Sequence, residues 1–300
     1  MRHLRRFFLG FVVLVAVAGA YIVLTADRQA AAQIARTIRI VVPYAPGGTA
    51  DIVARLVADQ AGRSGGPAMI VENRPGAGGA VGTETVARAT ADGATLLVVS
   101  TTFLIDPLLR KLNYDPLHSF APICNLVSAP TLIVVNSTSP YRTLGQLLDD
   151  ARQKPGQITM ASIDAPALNA VLGQQVTSMF ATLSNVSEYL KVGQLRALAI
   201  GNRERAQPLQ NVPTVAESGY GDFDIDAWFG AFAPAATPEP AINEVEHLFT
   251  AALQHSTVKE KLSAQDLFPT VACGSDFAAY LRKQNDAYSR IIAEANIKAE

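Results

Sequence analysis

Between residues 37 and 100 the chain alternates strand-like and helix-like apolar patterns, and this alternation constrains the fold more than any other feature of the sequence. Residues 37–43 (TIRIVVP) are β-branched and apolar, as suits a strand covered on both faces. The run breaks at Pro46-Gly47-Gly48. Residues 51–60 (DIVARLVADQ) then carry apolar side chains at Ile52, Val53, Leu56 and Val57, the spacing of a helix. Residues 68–72 supply a second strand, the Gly-rich stretch 75–82 leads into a helix near 83–89, and residues 94–100 (ATLLVVS) read as a third buried strand. The order is βαβαβ, which predicts an α/β protein with a parallel sheet.

A second α/β lobe is expected downstream, since 300 residues are enough for two modest cores. The apolar stretch 122–136 contains a strand at 131–135 (TLIVV), followed by a helix over 144–153 and further strands at 157–162 and 195–201 (LRALAIG). After a proline-punctuated region, 208–240, the pattern over 241–295 is mostly helical, with one strand-like piece near 268–272. This last part is expected to pack back onto the first lobe.

Composition narrows the function classes. Apolar residues make up 49% of the chain and charged residues 17%, and the formal net charge is −1, so neither a disordered chain nor a polyanion binder fits. Outside the extreme N-terminus no Lys/Arg-rich block offers a nucleic-acid footprint. At that terminus Arg2, Arg5 and Arg6 precede an apolar run from Phe7 to Leu24, with small-residue cleavage sites after Ala20 and Ala32. A cleaved export signal over residues 1–32 is expected, leaving a mature N-terminus at Tyr21 or Gln33; an uncleaved anchor is the alternative. Cleavage after Ala32 leaves a net charge of about −4, so attraction of an anion must be local. Cys124 and Cys273, the only cysteines, are read either as one bridge in an oxidising compartment or as buried thiols. His3, His118, His247 and His255 fall in no metal-ligand spacing, so neither metal nor cofactor is expected.

The loop from Pro43 through Tyr44, Pro46, Gly47, Gly48 and Thr49 to Asp51 joins a buried strand to a helix N-terminus. First-turn N–H groups there lack intrahelical partners and the helix dipole favours negative charge, so the loop suits a carboxylate. Gly47 and Gly48 open the backbone to an anion, Thr49 adds a hydroxyl, and Asp51 is placed to cap the helix or order a water. An ordinary strand-to-helix turn with an Asp cap accounts for the same residues. Ser100-Thr101-Thr102 follows the third strand, on the side where ligands of open α/β sheets bind; capping of the next helical turn is the alternative. Ser162 has the corresponding position in the second lobe.

Four long runs then carry a resemblance: VVPYAPGGTADIVAR (41–55), IVENRPGAGGAVGTETVARATADGATLL (70–97), GQLRALAIGNRERAQPLQNVPTVAESGY (193–220) and DAWFGAFAPAATP (226–238). They resemble the Bug family of periplasmic receptors, the substrate-binding components of tripartite tricarboxylate transporters, from about Thr37 to the C-terminus. The resemblance implies a periplasmic location and a two-lobed, type II periplasmic-binding fold that closes on a small organic acid or amino acid for the transporter's membrane components. The first lobe would take residues 33–122 and 232–300 and the second 123–231. By position, Tyr44 and Pro46, Gly47, Gly48 and Thr49 become first-lobe ligand contacts, Asp51 orders the loop, Thr101 and Thr102 line the same cleft, and Ser162 begins the matching second-lobe loop. Trp228 and Phe229 fall at the return crossing between lobes, where an aromatic touches the ligand; core packing is the equal alternative.

One departure from the family pattern stands out. Relatives continue the second-lobe strand into a Gly/Ser-rich loop ending in His, a helix, and a strand with a Val-Pro-Tyr-Lys-Gly motif. Here Ser162 is followed by Ile163-Asp164-Ala165-Pro166, and the match resumes only afterwards. A loop, a helix and a strand, on the order of thirty residues at usual element lengths, are expected to be missing, so the second lobe is read as truncated and its binding as impaired. A degenerate receptor kept as an interaction or sensory partner is the rival of the same class. A serine hydrolase fits poorly: Gly62-Arg63-Ser64-Gly65-Gly66 has the letters of a nucleophile elbow but stands after a helix and before a strand. A dinucleotide site fails because the third glycine of the pattern begun by Gly76 and Gly78 is Val81.

Overall fold

The structure, a computed structural model, describes residues 37–161, 165–221 and 223–297. The expected export signal and Ser162 lie outside the described residues. Strands β1 (Ile38–Val42), β2 (Met69–Asn73) and β3 (Thr95–Ser100) alternate with helices α1 (Thr49–Arg63) and α2 (Ala80–Ala87). The strands pair in parallel, with Arg39 opposite Ile70 on one side and Thr95 on the other. Helix α3 (Thr102–Leu109) follows β3 directly, and the chain then enters β4 (Phe120–Ala129).

Strand β4 lies in the first-lobe sheet, with the returning strand β9 (Ala227–Pro234) and with β10 (Phe268–Cys273), in the order β10-β4-β9-β3-β1-β2. Strand β9 runs antiparallel to both β3 and β4, so the expected parallel βαβαβ unit is one half of a mixed sheet. Helices cover both faces, which is why its central strands are continuously apolar. Successive side chains alternate across the sheet. Ile40, Leu96 and Val98 pack on Val53 and Val57 of α1 and on Phe249 and Leu253 of α7 (Glu239–Gln254), whereas Val41, Leu97 and Val99 face Phe103 of α3 and Phe277 and Leu281 of α9 (Gly274–Glu294). Between α7 and β10 lies the short helix α8 (Ser256–Ser263), which adds Val258 and Leu262 to the first face.

The second lobe is a four-stranded sheet, β6-β7-β5-β8, built from β5 (Thr131–Asn136), β6 (Met160–Ala161), β7 (Ser178–Thr182) and β8 (Leu195–Ile200). Helices α4 (Leu144–Gln153), α5 (Ala165–Leu172) and α6 (Leu183–Lys191) connect its strands. Strand β6 is a two-residue edge, shorter than the expected strand over 157–162, and Met160 on it is 53% exposed.

Two corrections to the expected boundaries follow from sheet membership. The apolar stretch 122–136 is two strands in two sheets, divided at Pro130, so residues 123–129 belong to the first lobe. Residues 227–231, as part of β9, belong there too. The chain thus passes from lobe to lobe at 129–131 and returns at 225–227. The two crossings lie side by side: Ala129 is opposite Ala227, and Thr131 Oγ1 donates to the Ile225 carbonyl at 2.6 Å.

The alternatives left open for the cysteines resolve as a bridge. Cys124 and Cys273 are opposite one another on β4 and β10, with Cα atoms 4.0 Å apart, and are bonded. The bridge ties the C-terminal segment to the centre of the first lobe and suits an oxidising compartment.

Candidate functional site

The β1–α1 loop has the geometry an anion site needs. Gly48 is the helix cap, with φ −74° and ψ 165° and no side-chain cap bond; the expectation that Asp51 caps the helix is met differently. Asp51 lies inside α1, 4% exposed, and reaches back so that Oδ2 accepts the Gly47 N–H at 2.9 Å. Gly47 has φ +85°, a left-handed conformation that glycine alone adopts without strain. One N–H of the glycine pair is therefore already used, and the first-turn groups from Gly48 onward are those left to meet an anion.

An ionised Asp51 would oppose a second carboxylate nearby, but it is neutralised. Arg55 Nε donates to both Asp51 oxygens at 3.0 Å, and Asn73 Nδ2 donates to Oδ1 at 2.9 Å. Burial pushes the Asp51 carboxyl up, but the bonds from Arg55, Gly47 and Asn73 outweigh it and hold the group below the usual carboxylate range. Asn73 also donates to the Tyr44 carbonyl at 3.2 Å, so the end of β2 braces the loop from behind. Arg55 and Asn73 were not singled out from sequence; a polar residue closing a strand beside the loop was the available signal.

Tyr44 links the two loops of the first lobe. Its hydroxyl lies 3.0 Å from both Ser100 Oγ and Thr102 Oγ1 and accepts the Ser100 N–H at 3.2 Å. Ser100 and Thr102 are 3.1 Å apart, which closes a triangle of hydroxyls able to donate to an anion or accept from a ligand hydroxyl. The Gly-rich stretch after β2 packs behind this loop. A Cβ on Gly82 would lie 2.7 Å from the Arg74 carbonyl and 2.8 Å from Pro43 Cβ, so this glycine permits close approach to the strand end.

Tyr44, Pro46, Gly47, Gly48, Thr49, Asp51 and Thr102 are thus brought together, with Pro46, Gly47, Gly48 and Thr102 exposed. Two other expected contacts are engaged elsewhere. Thr101 Oγ1 accepts the Trp228 N–H at 3.1 Å and donates to the Asp226 carbonyl at 3.5 Å, so its hydroxyl is bound to the return crossing. Trp228 is fully buried with Phe232 and Phe277, and core packing accounts for it. Along β9 alternate residues face opposite sides of the sheet, and Phe229 remains partly accessible. Ser64, the serine of the elbow-like letters, follows the last turn of α1, and its N–H bonds to the Gln60 carbonyl; that geometry does not present a nucleophile.

Two α/β lobes joined by adjacent crossings, with a carboxylate-suited loop beside them, define a two-lobed solute-binding protein. The family model described as the tripartite tricarboxylate transporter family receptor matches residues 53–165 and 162–297, and the chain belongs to that family, one of receptors rather than enzymes. Its curated relatives include the protein BugT of Bordetella pertussis, 29% identical in an alignment 295 positions long that covers 88% of this chain and 90% of BugT. Among solved structures, the periplasmic binding protein BugD is 27% identical with a TM-score of 0.72, covering 88% of this chain and 99% of its own. MatC from Rhodopseudomonas palustris, solved with bound malate, is 27% identical with a TM-score of 0.71, covering 86% and 99%.

Proposed function

We propose that this receptor acts in the periplasm, capturing a small organic carboxylate and delivering it to the membrane components of a tripartite tricarboxylate transporter, and that its grip is weakened by a shortened second lobe. The carrying observation is the β1–α1 loop, where Asp51 fixes Gly47 and is itself neutralised by Arg55, leaving the N–H groups from Gly48 onward for an anion. Tyr44, Ser100 and Thr102 add hydroxyls at the same rim. Malate in the related MatC makes a dicarboxylate the natural first probe.

Three observations support a shortened second lobe. The family model matches in two pieces that meet at residues 162–165. The alignment with BugT runs over 295 positions but takes in only 88% of this chain's 300 residues, which leaves about thirty aligned positions of that relative opposite no residue of this chain. Among the described residues, strand β6 is a two-residue strand at the edge of its sheet just before that point. A closing receptor gains affinity from contacts made by both lobes at once and from the exclusion of water. One lobe with a shortened partner loses part of both.

The test is a thermal-shift screen of organic acids, malate first, on the mature chain, followed by calorimetry. The natural chain is compared with a version carrying a relative's segment inserted after Ser162. Binding weaker than micromolar by the natural chain, recovered by the insertion, is expected. Micromolar or tighter binding, roughly −8 kcal/mol, by the natural chain would overturn the impairment. Absence of binding by either version would count against solute capture.

A further inference from the structure

Asp226 stands where three parts of the molecule meet, and the solute site does not use it. Its carboxylate accepts from Ser128 Oγ at 2.5 Å, on the outgoing crossing, and from Tyr280 OH at 2.5 Å, on α9. Its carbonyl accepts from Thr101 Oγ1, and the same Thr101 oxygen accepts the Trp228 N–H. Thr101 lies between Ser100 and Thr102, both members of the rim hydroxyl triangle. Hydrogen bonds therefore run from Thr101, the backbone neighbour of both rim residues, to the return crossing, and from the Asp226 side chain there to the outgoing crossing and the C-terminal helix.

Among the described residues Asp226 forms no ion pair, and its side-chain partners are the two hydroxyls. Lys283 of α9 is engaged by Asp224 at 3.5 Å, and the backbone N–H of Arg203 donates to that same acid. Burial pushes the Asp226 carboxyl up, partly offset by the two hydroxyl donors, and Asp224 adds to the rise. Such a group is held by its hydroxyl donors and not by an ion pair, so a displacement of either crossing that broke one of these bonds would leave a buried polar group unsatisfied, and the bonds therefore favour one arrangement of the crossings.

We propose that Thr101 and Asp226 are positioning residues that couple the first-lobe rim to the lobe crossings, so that ordering of Ser100 and Thr102 by a solute biases the angle between the lobes. Thr101 transmits the rim to the return crossing. Asp226 sets how the two crossings and α9 are held together. Trp228, the single tryptophan of the chain, is joined to Thr101 through its backbone N–H, and its buried indole packs edge-on against Phe277 of α9, so its emission responds to movement between the return crossing and that helix. The proposal rests on the receptor reading only for the choice of solute.

The test uses the mature chain, first without solute. Small-angle scattering and Trp228 emission are recorded for the natural protein, Thr101→Val, Tyr280→Phe and the double variant, with circular dichroism establishing that each folds. Thr101 and Tyr280 share Asp226, through its carbonyl and its carboxylate respectively, so independent packing contacts would give additive effects. Both single variants are expected to shift the radius of gyration and the emission in the same direction, the double variant no further than the larger single shift, and Thr101→Ser to restore the natural values. Additive shifts, or no shift in folded variants, would overturn the coupling. In a second arm malate is titrated into the natural chain and Thr101→Val, using the segment-inserted version if the natural chain binds weakly. Calorimetric binding with loss of the emission response in Thr101→Val is expected, and a full response there would overturn the proposal. Failure of every version to bind malate bears on the receptor reading, and the solute-free cycle then decides the coupling alone.

Discussion

Asp51, in the first turn of α1, holds the N–H of Gly47 at 2.9 Å and so fixes the residue that precedes the helix cap. The acid both rigidifies the loop and answers the helix dipole. Asp51→Ala would release Gly47, Arg55 and Asn73 together, and a loss of about 1–3 kcal/mol is expected. Because the folded carboxyl lies below its ordinary range, its contribution is full at neutral pH, above the unfolded value. It is lost as pH falls through the lower, folded one. Melting curves of both proteins across the acid range check this: the gap between them should close toward the acid end.

The two loop glycines should respond oppositely. Gly47 has a left-handed backbone, so Gly47→Ala is expected to cost about 1–2 kcal/mol of stability. Gly48 does not, and a Cβ there meets only the Ala45 carbonyl at 3.6 Å, an ordinary contact. Gly48→Val should fold normally yet obstruct an anion, lowering malate affinity at least about tenfold, or 1.4 kcal/mol. Calorimetry on the folded variant decides; unchanged affinity would put the anion elsewhere.

Removing the Cys124–Cys273 bridge, which spans 149 residues of sequence, is expected to cost about 2–5 kcal/mol. Cys273→Ala and Cys124→Ala should destabilise alike and abolish any effect of reductant on the melting temperature. A natural chain indifferent to reductant would count against the bridge as a stabilising element.

Asp226→Asn carries the opposite sign to Asp51. Its folded carboxyl lies above the unfolded value, so stability is greatest below the unfolded value and falls as pH rises through the folded one. At neutral pH the asparagine variant should melt about 2–4 °C higher, the response of a domain of about this size to about 1 kcal/mol. That advantage should shrink on acidification. Scanning calorimetry at several pH values reads it, and a variant less stable at neutral pH would reverse the assigned balance.

Much of the architecture was legible in the chain because its signals are local. The strand at 37–43, the Gly47-Gly48 break and the apolar spacing from Ile52 to Val57 dictate strand, loop and helix without reference to distant residues, and Asp51 belongs to the same short window. The strand near 268–272 and the helical C-terminus were legible for the same reason. Strand β4 was not, because its Asn125 and Ser128 are polar yet buried, an arrangement acceptable only once neighbouring strands and helices surround them. The partners of Thr101 lie 125 and 127 residues away, those of Asp226 lie 98 and 54 away, and the cysteines are 149 apart. Whether Trp228 or Phe229 points inward depends on how β9 is seated between β3 and β4. Local periodicity fixes what each segment can become, because backbone geometry and apolar spacing act over a few residues. Which side chains meet is decided only when distant segments pack, since those contacts depend on three-dimensional register that no short stretch encodes.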